Sequence, residues 1–151
     1  MAKPVSTELV LIAWLGTIPG ITPAMVDYAL PGKTELWKDT GFITVGPAFG
    51  GGHDDPELPV RESLIEIQCY GVNPGTLNPN YQIASDLAEL VVRACEEDHK
   101  CNEELVTRDG YRRARVTAAW VIRDPERILD EAASYGRYDL DLAVRWIEIP
   151  D

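Results

Sequence analysis

The sequence predicts an α+β protein: a mixed or antiparallel sheet of four to five strands with two helices packed on one face. Three observations predict it. Residues 6–15 and 81–95 carry apolar side chains at helical spacing. Residues 63–70, 114–123 and 138–149 alternate apolar and mixed positions with a period of two. The order of segments is helix, two strands, a long loop, strand, helix, two strands, which sets two helices against one sheet. A chain of 151 residues suits a single domain spanning 1–151, with about 68–70% of its unfolded surface buried.

The first helix starts at Ser6, an N-cap residue, with Glu8 in the positively polarised first turn. Val5 before the cap and Val10 inside it form a hydrophobic staple. Leu9, Ile12 and Ala13 share a face, with Val10 and Trp14 beside it, so this helix is buried on most sides. Gly16, Pro19 and Gly20 end it. A short strand is expected at 25–30, closed by Pro31 and Gly32, and a second at 42–45. Residues 46–60, with Gly50, Gly51, Gly52, His53 and several prolines, read as a long flexible loop.

In the third strand Ser63, Ile65, Ile67 and Cys69 alternate with Leu64, Glu66, Gln68 and Tyr70, so one face is apolar and the other mixed. The second helix buries Ile83, Leu87, Leu90, Val91 and Ala94, and places Glu89 and Arg93 as an i,i+4 pair. An acidic loop follows over 96–104. The fourth strand directs Val116, Ala118, Trp120 and Ile122 one way. Asp124, Pro125 and Glu126 begin a helical or irregular link. The last strand turns Leu140, Leu142, Val144 and Trp146 inward, and Asp139, Asp141, Ala143, Arg145 and Ile147 outward.

Charge excludes several classes. The net charge is -11 and the isoelectric point near 4.6, which opposes conventional nucleic-acid binding through phosphate neutralisation. Residues 1–52 and 105–151 are each at net -1, whereas residues 53–104 are at net -9. The last third is nearly neutral but dense in arginine. This two-signed layout suits partners that meet on unlike faces. No apolar run reaches the roughly 18–20 residues of a membrane span, and the N-terminus lacks the basic start and apolar stretch of a signal peptide. Cys69, Cys95 and Cys101 are odd in number and have no framework spacing, so they read as reduced thiols.

The search for catalytic chemistry returns little. His53 and His99 both lie in acidic loops. Gly50, Gly51 and Gly52 lack the Lys and Ser/Thr of a phosphate-binding loop. Cys95, His99 and Cys101 offer zinc donors without a standard spacing or a second ligand pair, and an exposed loop after a buried Cys95 explains them equally. His53, Asp54, Asp55 and Glu57 carry donors for a divalent ion, as in a small metal-dependent hydrolase, and read more simply as a polar loop. No catalytic residue, metal or cofactor is assigned. Asp139 and Asp141 alternate on one strand face, where an arginine of this chain or of a neighbouring one pairs with them. Arg108, Arg112, Arg113 and Arg115 cluster beside a single aromatic, Tyr111, which favours a protein interface over nucleic acid.

The pattern of elements resembles the tail terminator proteins of long-tailed, siphovirus-type bacteriophages, in particular those of actinobacterial phages. Residues 8–15 (ELVLIAWL) resemble that family's first helix, and 29–31 (ALP) its first strand ending at a proline. Residues 42–46 (FITVG), with the Gly/Asp-rich loop after them, resemble its second strand and loop. Residues 64–71 (LIEIQCYG) resemble the strand leading into the second helix, and 138–146 (YDLDLAVRW) the final strand. The likeness spans nearly the whole chain and is one of pattern, without an invariant motif. The insert at 96–102 and the segment 73–80 depart from the family's shorter connections.

The resemblance implies a non-enzymatic virion protein of the tail or neck, assembled in the host cytoplasm. It implies a ring, in the family a hexamer, that caps the head-proximal end of the tail tube. Such a ring stops polymerisation of the major tail tube protein and presents a surface to the head-tail connector, while DNA passes through its lumen without specific binding. A ring of this kind closes by heterologous contacts, and an acidic lumen lets DNA slide. Asp54, Asp55 and Glu57 are then expected at the lumen or the tube interface, and Arg112, Arg113, Arg115, Asp139, Asp141 and Arg145 at interfaces. The alternatives are a neck or head-tail joining protein on the connector side, a small metal-dependent hydrolase, and a soluble adaptor unrelated to phages.

Overall fold

The computed structural model describes residues 2–53, 57–98, 101–130 and 132–150. Two helices, α1 (Thr7–Leu15) and α2 (Tyr81–Arg93), accompany six strands: β1 (Val26–Asp27), β2 (Phe42–Gly52), β3 (Val60–Gly71), β4 (Glu104–Leu105), β5 (Ala114–Arg127) and β6 (Gly136–Glu148). The strands form one sheet in the order β1-β2-β3-β6-β5-β4. All neighbours are antiparallel except β1 and β2. The class is α+β as expected, with six strands in place of four to five. The extra one, β4, is two residues long, and two residues leave no alternation to read.

Both helices lie on one face of the sheet. α2 packs on β3, β5 and β6, and α1 packs on β1, β2, β4 and β5. The reach of α1 to both ends of the strand order shows that the sheet curls. Arg108, just beyond β4, closes the curl by approaching Asp27 of β1 at 3.6 Å and lying over the Tyr28 ring. α1 sits in this seam, with Leu9, Val10, Leu11, Trp14 and Leu15 buried. Ile12 and Ala13 remain partly exposed.

Ser6 caps α1 as predicted, its hydroxyl accepting from the Leu9 amide at 3.3 Å. Asn80 caps α2 in the same way through the Ile83 amide at 3.1 Å. The core holds Ile65, Ile67 and Cys69 of β3 against Leu140, Leu142, Val144 and Trp146 of β6, all essentially inaccessible. Burying each such aliphatic side chain contributes about 1.5–3 kcal/mol. The Trp146 indole N–H finds a partner inside this core, donating to Thr7 Oγ1 at 3.2 Å, and the Thr7 hydroxyl lies 3.0 Å from that of Ser63. These bonds satisfy buried polar groups and tie α1 to β3 and β6.

Several expectations are corrected. Residues 25–30 supply only β1, preceded by a 3-10 turn over Pro23–Met25. The expected loop at 46–60 is in large part strand, because β2 runs on to Gly52 and β3 begins at Val60, leaving 53–59 as the connection. Asp54, Asp55 and Pro56 lie outside the described residues. The glycines of β2 permit this pairing. Gly51 has φ +101°, and a Cβ there would lie 1.9 Å from the Glu62 carbonyl oxygen.

β5 continues through Asp124 and Pro125, which were expected to form a link. Its register skips at Thr117, between the pairs Val116–Trp146 and Ala118–Arg145. This bulge swaps faces. Val116, Ala119 and Val121 pack on the core, whereas Trp120 stands on the opposite face. A second skip leaves Ile122 44% exposed. A third takes in Asp124 and Pro125, and a bulge is where a strand tolerates proline. α2 continues into a wider π turn over Ala94–Asp98. Arg93 there pairs with Glu97 at 2.7 Å, in place of the expected Glu89.

Candidate interaction surfaces

The sheet face opposite the helices carries the candidate residues of β6 and is laid out in cross-strand rungs. Glu62 stands beside Arg145, Glu66 beside Asp141 and Gln68 beside Asp139. Arg145 Nε donates to Glu62 at 3.1 Å, and its guanidinium lies over the Trp120 ring. Arg123 forks both oxygens of Asp141, at 2.8 and 3.1 Å, and also reaches Glu126 at 3.1 Å. Arg137 forks Asp139 at 2.7 and 2.8 Å. Bidentate geometry strengthens such pairs, and these hydrogen bonds hold both guanidiniums further above their ordinary pKa. Asp139 and Asp141 thus find their arginines within the chain. The face is charged, and much of that charge is compensated internally.

One end of this face is apolar. Trp37, Phe42, Tyr70 and Val72 form a second buried cluster, with Tyr135 set edge-on to Tyr70 at 5.0 Å. Thr44 donates to Gln68 at 2.7 Å, and Gln68 donates to the Gly46 carbonyl at 2.9 Å, whereas the buried Trp37 indole nitrogen has no hydrogen-bond partner among the described residues.

The arginine cluster is dispersed. Arg112 meets Glu148 at 2.7 Å, Arg113 pairs with Glu104, and Arg108 turns to Asp27. Arg115 is half-buried, and its Nε has no partner among the described residues. Sequence spacing placed these four together, but the loop 106–113 and the alternation of β5 send them in different directions.

The three thiols are free. Burial pushes the Cys69 thiol far above its ordinary value. Burial, with the neighbouring Cys101 thiol and Glu96 adding, pushes Cys95 up to about 12. His53 is exposed, and His99 lies outside the described residues. Among the described residues no three His, Cys, Asp or Glu side chains are placed to hold a metal ion, and no helix is long and apolar enough to cross a membrane.

Two surface features escaped the sequence reading. One is a groove of about 440 Å³ between α1 and the segment after β4, with Leu9, Ile12, Ala13 and Pro23 on one side and Leu105 and Val106 on the other. Val106 is 77% exposed at its rim. The other is the β2–β3 hairpin, which exposes Phe49 (48%) and Leu58 (54%). Neither shows in a periodic pattern, because the groove joins segments about 95 positions apart.

These features define a curled six-stranded α+β fold with a helix in its seam and a charged outer face. That fold recurs in a solved structure: a chain of the virion of a native gene transfer agent (GTA) particle superposes with a TM-score of 0.52 at 19% identity. The match covers 96% of this chain and 87% of that one. No family model and no curated protein matches the sequence.

Proposed function

We propose that the chain is a structural virion protein that assembles into a closed ring, caps the head-proximal end of a phage tail tube and provides the joint to the head connector. The observation that carries this reading is the fold likeness to a virion chain over nearly the full length of both molecules. The order of elements, which resembles the tail terminators, supports the finer assignment. A two-signed surface supports heterologous closure, in which each subunit's face meets a different face of the next. In such a ring Arg112, Arg113, Arg115 and Arg145 belong to subunit or partner contacts, while Asp139 and Asp141, expected there too, hold Arg137 and Arg123 within the subunit. Asp54, Asp55 and Glu57 supply negative charge that keeps DNA moving through the channel.

Electron microscopy of the purified protein, alone and mixed with tail tubes, tests the reading. Rings seated on one end of each tube are expected, and tubes polymerised in the protein's presence should stop at a fixed length. Protein that binds connectors and ignores tube ends would instead mark a neck protein on the head side. Indifference to both overturns the virion reading.

A further inference from the structure

The ring reading leaves open which side chains of neighbouring subunits meet, and Arg115 supplies a starting point because its charge is unmatched inside the subunit. Among the described residues it is the one arginine with neither a carboxylate in reach nor an aromatic ring beneath it. Seven others form ion pairs, and Arg61 and Arg127 lie over Trp146 and Tyr81. The neighbours of Arg115 across the sheet are Glu104 on β4 and Ile147 on β6. The Glu104 carboxylate is taken by Arg113, and Ile147 offers none. The Nε of Arg115 is buried without a hydrogen-bond partner, while the residue as a whole is only half-buried. A buried donor left unsatisfied costs stability. It becomes a strong point of attachment once a carboxylate reaches it from outside, because charge-assisted bonds to a guanidinium are among the stronger polar contacts.

Matching charge lies on the other side of the subunit. Arg115 alternates with the buried Ala114 and Val116, so it stands on the sheet face away from the helices. α2 and its π turn present Asp86, Glu89 and Glu96 to solvent along one side. None of the three is in an ion pair, and Glu89 is left so because Arg93 turns to Glu97. Residues 81–98 carry five acids and one base. A contact between the helix side of one copy and the sheet side of the next is heterologous and repeats from subunit to subunit, as a ring requires.

We propose that Arg115 of one copy takes a carboxylate, Glu89 or Glu96, from the solvent face of α2 in the next. This proposal rests on the ring reading and names a contact that closes the ring. The partner is a second copy of this chain, and opposite charge fixes the register in which the two copies meet.

The test uses three variants of the full chain, each checked for folding by circular dichroism. Arg115→Met removes the charge and keeps the apolar stem. At a dilution where the chain is monomeric, its urea midpoint should equal or exceed that of wild type, since no bond within the subunit is lost. In light scattering over a concentration series, wild type should self-associate and Arg115→Met should need about tenfold or more protein to do so. Glu89→Lys with Glu96→Lys should show the same shift. Arg115→Glu combined with both lysines exchanges the charges and should restore association.

An Arg115→Met monomer clearly less stable than wild type would mean that the arginine is held within its own chain, which overturns the proposal. Association unchanged in either charge-removing variant overturns it as well, as does a charge exchange that restores nothing or a wild-type chain that stays monomeric at millimolar concentration. The ring reading is judged separately, by caps on tube ends, and survives the loss of this contact.

Discussion

Gly71 and Gly136 stand opposite each other on β3 and β6, and the first turn of α2 rests on both. A Cβ on Gly71 would meet the Asn80 carbonyl oxygen at 2.6 Å and Ile83 Cβ at 2.7 Å. One on Gly136 would meet the Asn80 carbonyl carbon at 2.7 Å and the Tyr81 nitrogen at 2.8 Å. Neither glycine has a left-handed φ, so the effect of adding a methyl is steric. Backbone atoms cannot rotate out of the way, and Gly71→Ala or Gly136→Ala must lift α2 from the sheet. Overpacking of this kind costs about 1–3 kcal/mol.

The upper half of that range is expected, because the same turn holds the Asn80 amide to the Gly71 carbonyl at 3.1 Å and the Asn80 cap to Ile83. At about 2–4 °C per kcal/mol for a domain of this size, a loss of about 2–3 kcal/mol lowers Tm by roughly 4–12 °C. Both methyls press on one short stretch of backbone, so a single displacement accommodates both. The double variant should therefore fall short of additivity by about 0.5 kcal/mol or more. Urea unfolding followed by circular dichroism, with an unchanged m-value, measures all three. Single variants within about 0.5 kcal/mol of wild type, or strict additivity, would refute the seating argument.

Trp146→Ala should destabilise by about 3–5 kcal/mol in the same assay, and Trp146→Phe by less, since it loses mainly the bond to Thr7. Ser6→Ala removes the α1 cap and should cost about 0.5–2 kcal/mol. A thiol reagent at pH 8 should modify Cys101 first and leave Cys69 and Cys95 untouched until denaturant is added, because burial keeps their thiols protonated. An unfolded thiol ionises near 9.0 while folded Cys95 holds its proton to about 12. Stability contributed by that proton is complete below pH 9 and declines as pH rises from 9 toward 12, by up to about 1.4 kcal/mol per unit for each such thiol. Urea midpoints at pH 8 and 10 check the sign, and a Cys69→Ala, Cys95→Ala variant should flatten the slope.

The elements legible in the sequence are those whose periodicity is unbroken. α1 with its Ser6 cap, the alternation of β3 and the inward row of β6 all lie where the residues place them. β5 misled because a bulge at Thr117 swaps the faces of Ala118 to Val121 and a second skip at Ile122 swaps them back, and bulges leave no mark in composition. The run Gly50 to Gly52 read as a flexible loop because glycine is usually punctuation. Here it is what lets β2 approach the Glu62 carbonyl. Among the candidate residues, the acidic and basic types were visible, but their partners depend on strand register. Arg123, which forks Asp141 across β5 and β6, was not singled out for that reason, whereas Arg137 reaches Asp139 two residues along β6 itself. The groove was invisible because α1 and the segment after β4 meet only in the folded chain.

The bonds around α1 also impose an order in time. The Trp146 indole reaches Thr7 across 139 positions, and Glu148 accepts from the Val5 amide across 143, at 3.4 Å. A nine-residue helix is marginal on its own in water, yet this one is made first and its anchors last. At about 5–20 residues per second of synthesis, α1 waits roughly 7–28 s for β6. Through that interval β3 and β5 lack the strand that joins them, so α1 has only separate pieces of its sheet to lie on. α1 is therefore incompletely covered in the nascent chain until β6 joins the two halves of the sheet.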